Sequence, residues 1–168
     1  MYKRQEYLCF VQITLLAIGK TQSSWIAEGT RIYVDRMRHY GKFEFIETPD
    51  AKLKQSKKDP EAVKEAEATI LDKFIGGVDH LILLDEKGKA MGSLAFSKHL
   101  QNLQNRGLRH VMFVIGGPYG FASRIRSKAH TFMSLGPMTF SHQMIRPFAA
   151  EQIYRAHTIL KGEPYHHE

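Results

Sequence analysis

Three short apolar runs constrain the fold of this chain more than any other feature of its sequence. They occupy residues 10–18, 80–84 and 110–115, lengths that suit strands better than buried helices. Stretches with helical spacing of apolar residues separate them. Strands that are apolar on both sides need cover on both faces. The pattern therefore predicts an α/β fold with a mainly parallel sheet and helices on both faces.

Serine, glycine and proline mark the ends of the other predicted elements. We expect Ser23 or Ser24 and Ser93 to cap two helices, and Pro60 to open a third. A last helix is expected to begin near Gln143. Residues 48–59 are rich in charge and have no apolar period, so they predict a loop that is either a tolerated insertion or an RNA-facing lid.

The length of 168 residues, with 43% hydrophobic residues, is enough for one domain. We assign residues 1–12 to an N-terminal extension that is not necessarily native, and 13–168 to a single domain. Apolar runs stay below eighteen residues, so no membrane partner is expected and the predicted location is the cytoplasm. Cys9 is the one cysteine, and we interpret it as a small buried residue.

The net charge of +7 favours a polyanionic partner. The basic residues concentrate in loops near two glycine turns, which favours RNA, although an ordinary basic surface is the alternative. The clusters are Lys52, Lys54, Lys57 and Lys58; Lys87 and Lys89; and Arg124, Arg126 and Lys128.

Two glycine turns follow apolar segments, at 115–120 (IGGPYG) and 135–140 (LGPMTF). Neither has the spacing of a dinucleotide fingerprint or a Walker A loop. Each turn is consistent with a ligand that approaches the backbone closely, or with a short link between two secondary-structure elements. The nine histidines lack the spacing of metal ligands, so no metal site is predicted. His142 follows the second turn and either caps the last helix or faces a ligand.

Six blocks of sequence, in order, resemble one known family, the RlmH family. Its members are bacterial SPOUT-class methyltransferases that act on N3 of a pseudouridine in large-subunit ribosomal RNA. The match spans about residues 13–168. The blocks are LLAIGK at 15–20, LLDEKGK at 83–89, IGGPYG at 115–120, MTFSHQMIR at 138–146, EQIYRA at 151–156 and PYHHE at 164–168.

The resemblance implies a C-terminal trefoil knot, a homodimer, and S-adenosyl-L-methionine as the cofactor. It also implies ribosomal RNA as the substrate, presented on the assembled ribosome, and a C-terminal tail that completes the active site of the partner subunit. The expected cofactor contacts are Leu84, Gly116, Leu135, Gly136, Pro137, Met138, Thr139 and Phe140.

Methylation of a pseudouridine at N3 requires the imide nitrogen to lose its proton, and it requires no metal. Alignment of the two reactants can supply about 7 kcal/mol of the barrier reduction. Groups that assist proton loss or stabilise the anion supply the rest. The candidates are His142, Arg155, Tyr165 and His166. Two alternatives are a non-catalytic RNA-binding or ribosome-assembly factor on this scaffold and a flavodoxin-like nucleotide-binding domain.

Overall fold

The computed structural model describes residues 11–51 and 59–167. Cys9 and the predicted cluster Lys52, Lys54, Lys57 and Lys58 lie outside these ranges, as does most of the predicted loop 48–59. Strands and helices alternate along the chain. They are β1 (Gln12–Ala17), α1 (Ser24–Met37), β2 (Phe43–Glu47), α2 (Pro60–Ile75), β3 (His80–Ala90), α3 (Ser93–Asn105), β4 (His110–Ile115), α4 (Ser123–Arg126), β5 (Thr131–Ser134) and α5 (Ile145–Leu160).

The five strands form one sheet in the order β2-β1-β4-β3-β5, and all neighbouring strands are parallel. The central strands are apolar on both sides because side chains of alternate residues point to opposite faces, and both faces are covered. On one face Leu15 and Phe113 pack with residues of α1, α3 and α5. On the other face Leu16 and Val114 pack with residues of α2 and α4. The predicted fold class is therefore confirmed, while the trefoil knot stays a prediction.

Several predicted element ends were wrong. β3 extends beyond the predicted apolar run 80–84 to Ala90, and this extension pairs with β5 across a register shift. Ser93 is the first helical residue of α3 and Gly92 occupies the N-cap. Ser23 is the N-cap of α1 but makes no side-chain cap hydrogen bond. α5 begins at Ile145 rather than near Gln143.

Two residues that the sequence boundary placed in the extension belong to the folded domain, one in the sheet and one in the core. Gln12 begins β1 and pairs with His110, and Val11 is buried in the core. Among the described residues, no helix is long and apolar enough to cross a membrane.

A buried arginine fixes the start of α5 to the carboxyl end of β1. The side chain of Arg146 is fully buried, and its guanidinium donates to the carbonyl oxygens of Ile18 at 2.8 Å and His142 at 3.1 Å. It also donates to Thr21 Oγ1 at 2.8 Å and pairs with Glu47 at 3.0 Å. This network sets where the loop before α5 passes the edge of the sheet.

Candidate functional site

The carboxyl ends of β3, β4 and β5 surround a cleft of about 840 Å³. Three segments supply its walls: 84–87 in β3, 115–121 after β4, and part of 133–145 from β5 to α5. The strand register brings these segments together, since Leu84 lies beside Ile115 on one side and Met133 on the other. Ligands of open parallel sheets bind at this edge.

Most of the expected cofactor residues share this cleft. Gly136 and Pro137 are not part of its lining, but they belong to the same loop, between two lining residues. The expected residues that line it are Leu84, Gly116, Leu135, Met138, Thr139 and Phe140.

The first glycine turn is held by its own backbone and by an aromatic ring. The amide of Gly120 donates to the carbonyl of Gly117 at 3.1 Å, and Gly120 has a φ of 78°, which favours glycine. A Cβ built on Gly116 would lie 3.1 Å from the ring of the buried Phe121. Glycine at 116 therefore serves internal packing as well as the cleft wall.

Two side chains hold the second glycine turn. Ser134 Oγ donates to the carbonyl of Gly136 at 2.7 Å and accepts from its amide at 3.2 Å. Thr139 Oγ1 donates to Glu86 of β3 at 3.1 Å. The loop after β5 is thus tied both to its own strand and to the neighbouring one.

The mouth of the cleft is rich in exposed apolar side chains. Met138 is 75% exposed and Tyr119 is 43% exposed. Phe140 contacts Phe148 of α5, with ring centroids 5.5 Å apart. This apolar surface suits a flat aromatic ligand or a covering partner better than it suits bulk water.

The third basic cluster is occupied by ion pairs. Arg124 pairs with Glu65 and Asp72, and Lys128 pairs with Asp72 at 2.7 Å. Arg126 pairs with Asp85 inside the cleft wall. These ion pairs offset the positive charge of the cluster, and its contact with RNA stays a prediction, whereas Lys87 lines the cleft and is exposed.

His142 lines the cleft and is half-buried. Its side chain does not cap α5, because Ser141 Oγ accepts the hydrogen bond from the amide of Met144 at 3.1 Å. Burial lowers the pKa of His142, and the nearby charge of Arg146 lowers it further. The imidazole is therefore neutral at pH 7 and has a ring nitrogen able to accept a proton.

The other three candidate catalytic residues lie together, but not in the cleft of the same chain. Glu151 of α5 connects two of them, because it accepts from Arg155 Nε at 2.9 Å and from the hydroxyl of Tyr165 at 3.1 Å. Arg155 also lies 3.3 Å from Nδ1 of His166. The guanidinium of Arg155 stacks over the ring of Tyr165 at 4.6 Å, so the tail is docked against α5.

The charges of this tail cluster are set by its contacts. Burial raises the pKa of Tyr165, and Tyr33 and Glu151 raise it further. The hydrogen bonds that Arg155 donates to Glu151 raise the pKa of its guanidinium. At neutral pH both groups keep their protons, and they can donate hydrogen bonds to a developing anion.

Two buried charged residues near the site were not among the predicted site residues. Arg146 is fully buried and pairs with Glu47. Glu67 of α2 is only 6% exposed and lies behind the first glycine turn. A signal for Glu67 exists in the sequence, since it lies four residues from both Val63 and Leu71, on one buried helix face.

No group of three or more His, Cys, Asp or Glu able to hold a metal ion occurs within residues 11–51 and 59–167.

Comparison with known proteins decides the family. Residues 11–166 match the family model described as predicted SPOUT methyltransferase. The chain belongs to this family of methyltransferases. A protein of Christiangramia forsetii named ribosomal RNA large subunit methyltransferase H is 46% identical over 92% of this chain and 98% of its own length. A protein of the same name from Porphyromonas gingivalis is 46% identical over 94% of this chain and 100% of its own.

Solved structures support the fold. A probable methylase family protein from Haemophilus influenzae Rd KW20 gives a TM-score of 0.52 at 11% identity, over 94% of this chain and 70% of that one. A probable methyltransferase from Bordetella pertussis Tohama I gives 0.52 at 14% identity, over 88% and 97%. At these identities the likeness shows that the proteins share a fold, and it carries no information about the substrate.

Proposed function

We propose that the chain transfers a methyl group from S-adenosyl-L-methionine to N3 of a pseudouridine in large-subunit ribosomal RNA. The observation that carries this proposal is the single cleft formed by Leu84, the turn at Gly116 and the loop 135–140. These are the positions that the resemblance to the RlmH family assigns to the cofactor. The names of the relatives support ribosomal RNA as the substrate class.

The cleft fits such a cofactor. Its volume of about 840 Å³ lies within the usual range of about 300–1,000 Å³ for ligand sites. Leu84, Leu135 and Ile145 give it apolar walls, and glycines let the backbone at 116–117 approach a ligand. When bound, S-adenosyl-L-methionine supplies a methyl group on a sulfonium centre. The backbone of both glycine turns would hold the cofactor.

Proton transfer and charge stabilisation are left to the side chains. The N3 proton of the base would pass to a side chain of the protein, and the resulting imide anion would accept the methyl group that the bound cofactor supplies. We assign His142 and His166 as candidate proton acceptors. Arg155 and Tyr165 keep their protons at neutral pH and donate to the imide anion.

An exposed apolar patch supports a homodimer in which each tail reaches the cleft of its partner. Trp25 and Ile32 of α1 are 60% and 45% exposed, and Phe148 of α5 is 44% exposed. The two helices meet where Gly29 faces Pro147, since a Cβ on Gly29 would lie 3.7 Å from Cβ of Pro147. The patch continues through Phe140 into the cleft mouth, so a second copy seated on it would cover that opening.

The remaining details follow from the family. We propose the cytoplasm as the location and the assembled ribosome as the substrate, because a small domain has little surface with which to read RNA sequence. We also propose that residues 13–168 function as one domain whose C-terminal part is knotted.

The test is transfer of a labelled methyl group from S-adenosyl-L-methionine to intact ribosomes, to isolated subunits and to free ribosomal RNA. Mass spectrometry of nuclease fragments locates the label. We expect one methylated pseudouridine and the fastest transfer to assembled ribosomes. RNA binding without methyl transfer would instead identify a non-catalytic assembly factor. Transfer to a different base would overturn the assigned chemistry.

A further inference from the structure

Glu67 is a buried carboxylate that the proposed chemistry does not use. It projects from α2 and is 6% exposed. Its Oε2 atom has no hydrogen-bond partner among the residues that the structure describes. A buried, incompletely paired carboxylate is costly, which calls for a role beyond packing.

The carboxylate lies directly against the first glycine turn. A Cβ built on Gly117 would come within 2.6 Å of Cδ of Glu67, and closer still to Oε1. Glu67 therefore fills the space that any side chain at 117 would need. The backbone N–H of Gly117 lies close enough to the carboxyl group to lower its pKa. In contrast, a Cβ on Gly120 at the end of the same turn would meet no atom within 4 Å.

The basic side chains near Glu67 form ion pairs with other residues. Lys64, one turn earlier on α2, pairs with Glu61 and lines the cleft. Arg124 of α4 pairs with Glu65 and Asp72. On the turn itself the one titratable side chain is Tyr119. Burial raises the pKa of Glu67 to about 7, and the nearby backbone N–H of Gly117 opposes that rise.

We propose that Glu67 is a positioning residue whose carboxyl group holds the backbone of residues 116–120 in the form that binds the cofactor. Gly117 lies against the carboxyl group of Glu67 and also lines the cleft. The assignment of the cleft to S-adenosyl-L-methionine is that of the proposed function, on which this inference rests.

A double-mutant cycle tests the contact. Binding of S-adenosylhomocysteine is measured by calorimetry for the wild type, Gly117→Ala, Glu67→Ala and the double variant. We expect Gly117→Ala to weaken binding about tenfold, since the new methyl group displaces the carboxylate and with it the turn. The double variant should bind no more weakly than Glu67→Ala alone, because the space is then free.

Additive losses in the cycle would overturn the inference, because glycine at 117 would then be needed for the ligand and not for Glu67. A wild type that does not bind S-adenosylhomocysteine would overturn the proposed function instead. Thermal unfolding of each variant verifies the fold.

The pH profile supplies a readout that packing alone would not change. Ligand in the cleft removes water from the turn and so further disfavours the charged carboxylate. Wild-type affinity should therefore fall about fivefold between pH 6 and pH 8. Glu67→Gln keeps the shape of the side chain but cannot ionise. In this variant the fall in affinity between pH 6 and pH 8 should disappear. The control is Glu44→Gln, because Glu44 is the exposed residue of β2; this variant should keep the wild-type profile. Identical profiles for Glu67→Gln and the wild type would refute the role of the carboxylate.

Discussion

At the scale of single residues, the buried guanidinium of Arg146 is the strongest link between α5 and the sheet. Its hydrogen bonds reach Ile18, Thr21, Glu47 and His142. Removing one partner of a buried ion pair leaves the other charge unpaired. We expect Arg146→Met to lower the free energy of unfolding by about 3–5 kcal/mol, measured by urea denaturation.

The matched control for Arg146 is Arg38→Ala. Arg38 pairs with Asp35 at 3.1 Å, and both side chains are exposed, so its loss should cost less than about 1 kcal/mol. An equal, small effect for both variants would show that the Arg146 network contributes little to stability.

His80, at the start of β3, predicts a dependence of stability on pH. Burial lowers its pKa to about 4, and the charges of His130, His99 and Arg106 contribute to the lowering. The unfolded chain binds a proton near the usual pKa of about 6.5, whereas the folded chain does not until about pH 4. Neutral His80 therefore makes its full contribution to the free energy of unfolding above pH 6.5. This contribution is lost as the pH falls from 6.5 to 4.

The measurement for His80 is the difference in unfolding free energy between the wild type and His80→Gln at several pH values, in which groups that do not interact with His80 cancel. Between pH 6.5 and pH 4 the wild type should lose about 3 kcal/mol of unfolding free energy relative to His80→Gln. His39→Gln is the control, because His39 is exposed. A pH-independent difference for His80→Gln would contradict the lowered pKa.

At the scale of elements, the contact between β3 and β5 shapes one wall of the cleft. A Cβ built on Gly88 would lie 2.5 Å from the backbone nitrogen of Met133 and 2.7 Å from the carbonyl carbon of Phe132. Since these are backbone atoms, the strand itself must move. We expect Gly88→Ala to lower the free energy of unfolding by about 2 kcal/mol and to weaken cofactor binding, as measured by denaturation and calorimetry.

Gly92→Ala is the control for Gly88. Gly92 precedes α3, and a Cβ there would meet no atom within 4 Å, so the cost should stay under about 1 kcal/mol. A stable Gly88→Ala variant with unchanged affinity would show that β5 can shift without disturbing the cleft.

The sequence predicted these elements better than their ends. The apolar runs at 80–84 and 110–115 identified β3 and β4, because strands buried on both faces have a strong composition signal. The extension of β3 to Ala90 was missed, since its charged residues pair with β5 only across an irregular register. The first helical residue of α3 was mistaken for its cap because Ser93 and Gly92 both suit that position.

At the scale of the whole molecule, local patterns did not determine the site. The two glycine turns are visible in the sequence, but their meeting depends on the order of β4, β3 and β5 in the sheet. The resemblance to the RlmH family, and not the local pattern, predicted that the two turns contribute to one site. Glu67 was not predicted, because its role depends on Gly117, which is fifty residues away in sequence and adjacent in the fold.

The separation between the tail and the cleft gives the last prediction. Tyr165 and His166 are docked on α5 and do not line the cleft of their own chain, so the proposed dimer must bring them to the partner. Deleting residues 165–168 should leave cofactor affinity unchanged and abolish methyl transfer. Trp25→Glu should place a charge in the apolar patch, give monomers by light scattering, and abolish transfer as well.

Mixing two inactive chains distinguishes a shared site from a site within one chain. One chain lacks residues 165–168, and the other carries Leu135→Glu, which places a charge in the apolar wall of the cleft. Each heterodimer then contains one complete site if cleft and tail come from different subunits. A statistical mixture should recover about a quarter of the wild-type rate per chain. No recovery, with heterodimers verified by native mass spectrometry, would place the tail and the cleft of each active site in the same chain.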